Sequence, residues 1–332
     1  SYTLMILNNI KFNYNIKLLD DYFKNNNYQE VKSLLQKQKN NNVLHFKLFT
    51  YIKNNYLNKI EHDGFFENKF IWIISYDLND TNIILDFLNF YVNKHDQKNF
   101  IFNQYEALLA KSLSQIPEKT MSFEVNFENT LNYSDFYQNL ILLDNNSNQI
   151  VANMSAAFFE APNQKRLIYP QLTNSFFYVI QSPHKLYQRY KKIFSSTEAA
   201  LDELNNYYEK MKTYEKHISG SDDIKISNNR QNFKTNFNSW TNENVKNSYK
   251  GKIISYSEMI EKPEETFNNI LYHIKENGVN IPINFDYVEE FINNNSHYFS
   301  FETENESLSN KEKKMINNLL DEDIKRQFNL EN

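Results

Sequence analysis

Apolar positions in the first sixty residues recur at helical spacing. Leu18, Leu19, Tyr22 and Phe23 form one set, Val31, Leu34 and Leu35 a second, and Leu44, Leu48, Tyr51 and Ile52 a third. Each set fits one face of a helix, because residues three and four apart lie side by side there. Asn25, Asn26 and Asn27 separate the first two, and Asn40, Asn41 and Asn42 the last two. The pattern predicts a small helical array over residues 1–67. It reads as an N-terminal extension packed on the main domain in preference to an independent module.

The texture changes at Phe70. The run Phe-Ile-Trp-Ile-Ile-Ser over 70–75 is continuously apolar, as a strand buried on both faces must be. Residues 82–92 follow with Ile83, Ile84, Phe87, Leu88 and Tyr91 on one helical side. Further strands are expected at 140–143, 149–153, 176–180 and 252–256, with helices at 185–194, 198–214 and 264–277. Polar residues 219–232 read as an exposed loop. Alternating strands and helices predict an α/β domain over 68–332, a parallel sheet flanked by helices.

Composition narrows the function classes. With 332 residues, 40% of them hydrophobic, the chain can bury a sizeable core. The 27 Phe, 23 Tyr and abundant Asn and Lys point to an AT-rich genome. No cysteine is present, which removes disulfides, thiolate metal sites and cysteine nucleophiles. A net charge of −5 argues against a general nucleic-acid binder, which needs a basic face. The apolar run Leu4 to Leu7 is too short for a signal peptide or a membrane span and has no basic residue before it. A soluble, cytoplasmic protein without a membrane span is expected. His45, His62, His217, His273 and His297 show no metal-ligand spacing, and His95-Asp96 reads as a surface turn, so no metal site is expected.

Four stretches, in order, carry a family likeness. Ile71-Trp72-Ile73-Ile74-Ser75-Tyr76 resembles the first half of the sulfotransferase pattern Ile-Trp-Ile-Ala-Ser-Tyr-Pro-Lys/Arg-Ser-Gly-Asn-Thr-Trp. Tyr178-Val179-Ile180-Gln181-Ser182-Pro183 is similar to that family's Tyr-Val-Val-Arg-Asp-Pro. Ser239-Trp240, then Ser255-Tyr256-Ser257-Glu258-Met259 and Lys262-Pro263-Glu264-Glu265, resemble its tryptophan stretch, Tyr-Glu-Asp-Leu strand end and Pro-Glu-Glu helix start. Phe299-Ser300-Phe301-Glu302 resembles its Ser-Phe-Glu box. The resemblance implies a sulfotransferase fold, of the P-loop-containing nucleoside triphosphate hydrolase-like kind, from about residue 68 onward.

It also implies a donor, 3′-phosphoadenosine 5′-phosphosulfate, and here the chain departs from the pattern. A polyanion needs backbone N–H groups from a glycine turn at a helix start, and basic side chains. The family's Pro, Lys/Arg, Ser, Gly, Asn and Thr fall on Asp77, Leu78, Asn79, Asp80, Thr81 and Asn82, and no Lys or Arg lies between Lys69 and Lys94. The arginine for the 3′-phosphate falls on Gln181, and the later serine on Gln188 or Arg189. Arg189 reads as part of a solvated helix face with Lys185, Lys191 and Lys192. The histidine base expected near 151–157 is missing, and the basic loop that the family has after its Ser-Phe-Glu box is replaced after Glu302 by the short stretch Thr303 to Ser307. Tyr76, Asp77, Asn79, Thr81, Asn82, Gln181 and Arg189 are therefore expected to be vestiges of a donor site, with no catalytic residue.

The expected function is that of an inactive sulfotransferase homologue, a pseudoenzyme acting as a binding, assembly or structural subunit with protein partners and no cofactor. One alternative is an active sulfotransferase with a divergent donor site, acting on a glycan or small hydroxylated acceptor. That alternative requires Arg189, Lys165 or Arg166 to converge on the turn at 77–82. Another is a lectin-like module that kept only acceptor recognition.

Overall fold

Strand β1 (Phe70–Ser75) has one side chain after another enclosed, and all six of its residues are buried. In the computed structural model it lies at the centre of a sheet with β2 (Phe100–Asn103), β3 (Gln149–Met154), β4 (Thr173–Ile180) and β5 (Gly251–Ser255). The order is β2-β3-β1-β4-β5, and every pairing is parallel. The structure describes residues 2–38, 40–62, 66–97, 99–106, 108–109, 134, 137–139, 141–142, 148–160, 166–205, 230–300 and 308–330.

Strand geometry sends neighbouring side chains to opposite faces, and β1 serves two cores accordingly. Ile71 and Ile73, with Val151, Phe177 and Val179, face one cluster. Helices α4 (Asn82–Lys94), α10 (Pro263–Glu276) and α11 (Phe285–Asn294) cover that face through Phe87, Phe267 and Phe291. Phe70, Trp72 and Ile74 face the other. There they meet α1 (Tyr2–Lys24), α2 (Tyr28–Lys37), α3 (Asn42–His62), α5 (Pro183–Phe194), α6 (Thr197–Leu204) and α7 (Phe233–Thr241). Further helices among the described residues are α8 (Glu243–Ser248), α9 (Tyr256–Glu261), α12 (Asn310–Asn317) and α13 (Glu322–Gln327). The core of α1–α3 is continuous with this second face, since Leu19, Val31 and Leu48 belong to the same apolar cluster as Trp72.

Local chemistry explains several boundaries. Pro183 and Pro263 stand in the first turns of α5 and α10, where the missing N–H costs nothing. Ser309 and Glu312 close a reciprocal capping box at α12. Glycine is required at the start of β5: a Cβ on Gly251 would stand 2.1 Å from Cζ of Phe176, whose ring fills the space.

The helix–sheet alternation is as the hydrophobic pattern predicts, with exceptions. The strand expected at 140–143 is not one, because Ile141 and Leu142 are helical; Leu140 and Leu143 lie outside the described residues. A short apolar run suits a buried helix as well as a strand. In its place the edge strand is β2, four half-buried residues that periodicity did not mark. The helix expected at 198–214 is described to Leu204 and the loop expected at 219–232 only from Arg230, the rest lying outside the described residues, as do Phe301 and Glu302 of the Ser-Phe-Glu box. Among the described residues no helix is long and apolar enough to cross a membrane.

Candidate functional site at the strand ends

In a parallel α/β sheet, ligands bind beyond the carboxyl ends of the strands, where successive connections leave toward opposite faces. Here the chain leaves β1 toward the α4 face, while β3 leads into Ala156, Leu167 and Ile168 on the other. The turn that the sequence singled out stands at these strand ends, directly after β1.

At the end of β1, the Ser75 hydroxyl donates to the Val179 carbonyl at 3.1 Å, tying β1 to β4. Tyr76 is buried, and its hydroxyl donates to the backbone carbonyl of Glu203. Asp77 caps a 3-10 turn, Leu78–Thr81, accepting from the Asn79 N–H at 3.0 Å. Asp favours such positions because its short carboxylate reaches a free backbone donor. The Thr81 hydroxyl donates to the Leu78 carbonyl at 2.7 Å, so its oxygen can only accept in turn, and it does so from Asn153 Nδ2 at 3.2 Å. That fixes the Asn153 amide and leaves its Oδ1 buried without a hydrogen-bond partner. Asn79 and Asn82 are exposed.

Arg189 does not lie on a solvated face. From α5 it reaches the turn, where Nη1 meets Asp77 Oδ2 at 3.0 Å and Nη2 meets Asp80 Oδ1 at 2.8 Å. It stands between the buried Tyr187 and Tyr190 on α5, a placement that a count of lysines on the helix could not show. Burial works against the Arg189 charge, but the two carboxylates outweigh it and hold the group above its ordinary pKa. For Asp80 the balance falls the other way. Its side chain is 2% exposed, Oδ2 has no partner, and burial pushes it up to about 6 despite Arg189, with Asp77 adding in the same direction. Arg166 pairs instead with Glu160, at 2.8 Å, and Lys165 lies outside the described residues. Gln181 folds back on its own turn, its Oε1 accepting from the Ser182 N–H at 3.0 Å.

Other residues at the strand ends carried no signal in the sequence. Arg230 lies over the Tyr76 ring and pairs with Glu203. The Glu106 carboxylate accepts from Ser155 N, Ser155 Oγ and Ala156 N at 3.0, 2.9 and 2.9 Å, and burial raises its pKa against those bonds. Asn236 donates to the Ser155 and Arg230 carbonyls, both at 2.8 Å, and accepts from the Tyr178 hydroxyl at 2.8 Å. The segment leaving β3 is thus held by side chains from two separate parts of the chain, Glu106 and Asn236. No spacing rule links residues so distant in the chain.

These groups do not fit a phosphosulfate donor. A second anion beside Asp77 or Asp80 would meet repulsion of about 4 kcal/mol at 4 Å and an effective dielectric near 20. Arg189, the cation that reaches the turn among the described residues, is already bonded to both carboxylates. The segment 151–157 brings no histidine, and the polar groups of Ser155 and the N–H of Ala156 are engaged structurally through Glu106 and Asn236. Among the described residues no group of three or more His, Cys, Asp or Glu side chains could hold a metal ion. The chain matches no family model, and no curated protein matches it.

Proposed function

We propose that this is a sulfotransferase-like α/β protein that binds or scaffolds and transfers no sulfate. The observation that carries the reading is the double ion pair of Arg189 with Asp77 and Asp80, which engages the cation of the turn with the protein's own carboxylates, at the turn where the family likeness would have a donor phosphate bound. The parallel sheet and the location of the turn at the end of its central strand support the family likeness at the level of architecture. A role among protein partners is supported by the apolar side chains that the first half of α1 exposes, among them Tyr2, Leu4, Ile10 and Tyr14. Titration calorimetry with adenosine 3′,5′-bisphosphate at pH 7.5 is the test. No binding is expected, and micromolar binding would overturn the reading.

One observation favours a second reading, an active enzyme with a divergent donor site: Arg189 does reach the turn. On that reading the aspartates would have to yield Arg189 to the donor. Transfer of labelled sulfate from phosphosulfate donor to a hydroxylated acceptor would establish it.

A further inference from the structure

We propose that the opening turns of α1, Tyr2 to Leu7, insert into the surface of an anionic lipid bilayer, with lysines of the N-terminal helices meeting the headgroups. Every residue from Tyr2 to Leu7 is exposed. At about 100° per residue, six successive positions pass more than once around the helix axis, so these turns are exposed on all sides and not along one stripe. Five of the six are large and apolar, namely Tyr2, Leu4, Met5, Ile6 and Leu7, and Ile10 follows in the next turn. Tyr2 is 74% and Leu4 62% exposed. The packed body begins one residue later, where Asn41 Nδ2 donates to Asn8 Oδ1 at 3.0 Å and seats the corner between α2 and α3 against α1. Beyond that contact one face of α1 turns inward through Asn15, Leu19 and Phe23.

Shape and charge together select the occupant. A partner helix covers one side of a helix, as α2 and α3 do for Leu19 and Phe23, whereas lipid surrounds the side chains that enter it. A helix apolar all round belongs inside a protein or a lipid phase. No Asp or Glu occurs before Asp20, while Lys11 and Lys17 do and are exposed. Lys37, also exposed, stands in the last turn of α2, four residues before Asn41. The first acid, Asp20, is bonded by the hydroxyls of Tyr51 and Tyr56, and Glu30 stands at the opposite end of α2 from Lys37. Residues 1–60 hold nine Lys against three Asp and Glu, a charge of +6 in a chain of −5, which leaves −11 for the rest. An anionic surface therefore attracts the N-terminal helices and repels the remainder of the chain, which orients the protein on it. Apolar insertion combined with lysine attraction holds surface-bound helices without a crossing segment. Tyr14, exposed about two turns beyond Leu7, remains available to a protein partner.

Flotation of the full chain with lipid vesicles is the test. Vesicles of phosphatidylcholine and phosphatidylserine, about three to one, should carry the wild-type protein, and vesicles of phosphatidylcholine alone should carry at least about tenfold less. Leu4→Ser with Leu7→Ser should lower partitioning onto the mixed vesicles at least about tenfold, because two leucines no longer enter hydrocarbon. Lys11→Glu with Lys37→Glu should lower it by a similar factor. All four side chains are exposed, so both variants should melt with the wild type. Tyr2→Trp, added to the buried Trp72 and Trp240, should shift its emission to the blue on the mixed vesicles. Absence of wild-type flotation, equal flotation with both lipid compositions, or flotation unaffected by the leucine pair would each overturn the proposal. A wild-type chain that ignores vesicles and sediments as a dimer, which the leucine pair dissociates, would assign these turns to a second copy instead. None of these outcomes touches the reading of the strand-end turn, which bisphosphate binding tests separately.

Discussion

Arg230 stacks over Tyr76, its guanidinium carbon 4.3 Å from the ring centroid, while Nη2 pairs with Glu203 Oε2 at 2.5 Å. One side chain thereby ties three elements together at the end of β1: the strand, the end of α6 and the entry to α7. A planar guanidinium can stack and pair at once, which an ammonium cannot.

Arg230→Met should therefore destabilise the protein by about 2–4 kcal/mol, combining a lost cation–π contact with a half-buried Glu203 left unpaired. Arg230→Lys should recover less than half of that. Urea denaturation followed by tryptophan fluorescence measures both, with Trp72 and Trp240 as reporters in the same core. A wild-type midpoint for the methionine variant would show that the contact contributes nothing.

Little of this cluster was legible in the sequence, although its scaffold was. The apolar run of β1 and the helical periodicity of α4 and α10 survive because burial on both sheet faces forces them. Strand β2 was missed because four half-buried residues at a sheet edge carry no period, and Ile141-Leu142 misled because a short apolar run is compatible with either element. Arg189 looked like one more charge on a helix among lysines. Its partners are 112 and 109 residues away, and only the sheet order brings them together.

Asp80→Asn is expected to stabilise the folded chain at neutral pH. The folded carboxyl titrates at about 6, above its ordinary 3.8. Its contribution is thus fully present below about pH 3.8 and lost as pH rises through 6. Asparagine escapes that loss, so the variant should gain about 1–3 kcal/mol at pH 7.5 and nothing below pH 4. Equal stability of the two proteins across pH 4–8 would contradict the burial argument.

His45 acts in the opposite direction. Burial lowers it from 6.5 to about 4, so its neutral form stabilises the N-terminal helices above pH 6.5 and that contribution disappears as pH falls through 4. Wild-type protein should lose about 3 kcal/mol from this group between those limits. His45→Gln should show a shallower acid slope in circular dichroism melts at pH 4.5, 5.5 and 6.5.

Gly251→Ala should cost about 1–3 kcal/mol, since its methyl group enters the Phe176 ring volume and the ring is hemmed in by Trp240, 5.0 Å away between centroids. Adding Phe176→Leu should restore part of the loss. Two costs that simply add would argue that the clash is relieved elsewhere.

The central place of β1 also constrains the order in which the chain can fold. Its neighbours, β3 and β4, end at Met154 and Ile180, so the most apolar strand is made long before either partner exists. At ordinary rates of synthesis that gap lasts roughly 5–20 s. The helices of residues 2–62 precede β1 in the chain, and in the finished protein they share the core of Trp72 and its neighbours. The apolar faces of Leu19, Val31 and Leu48 are thus synthesised ahead of β1, and the core they share with Trp72 does not have to wait for β3 or β4 to be made.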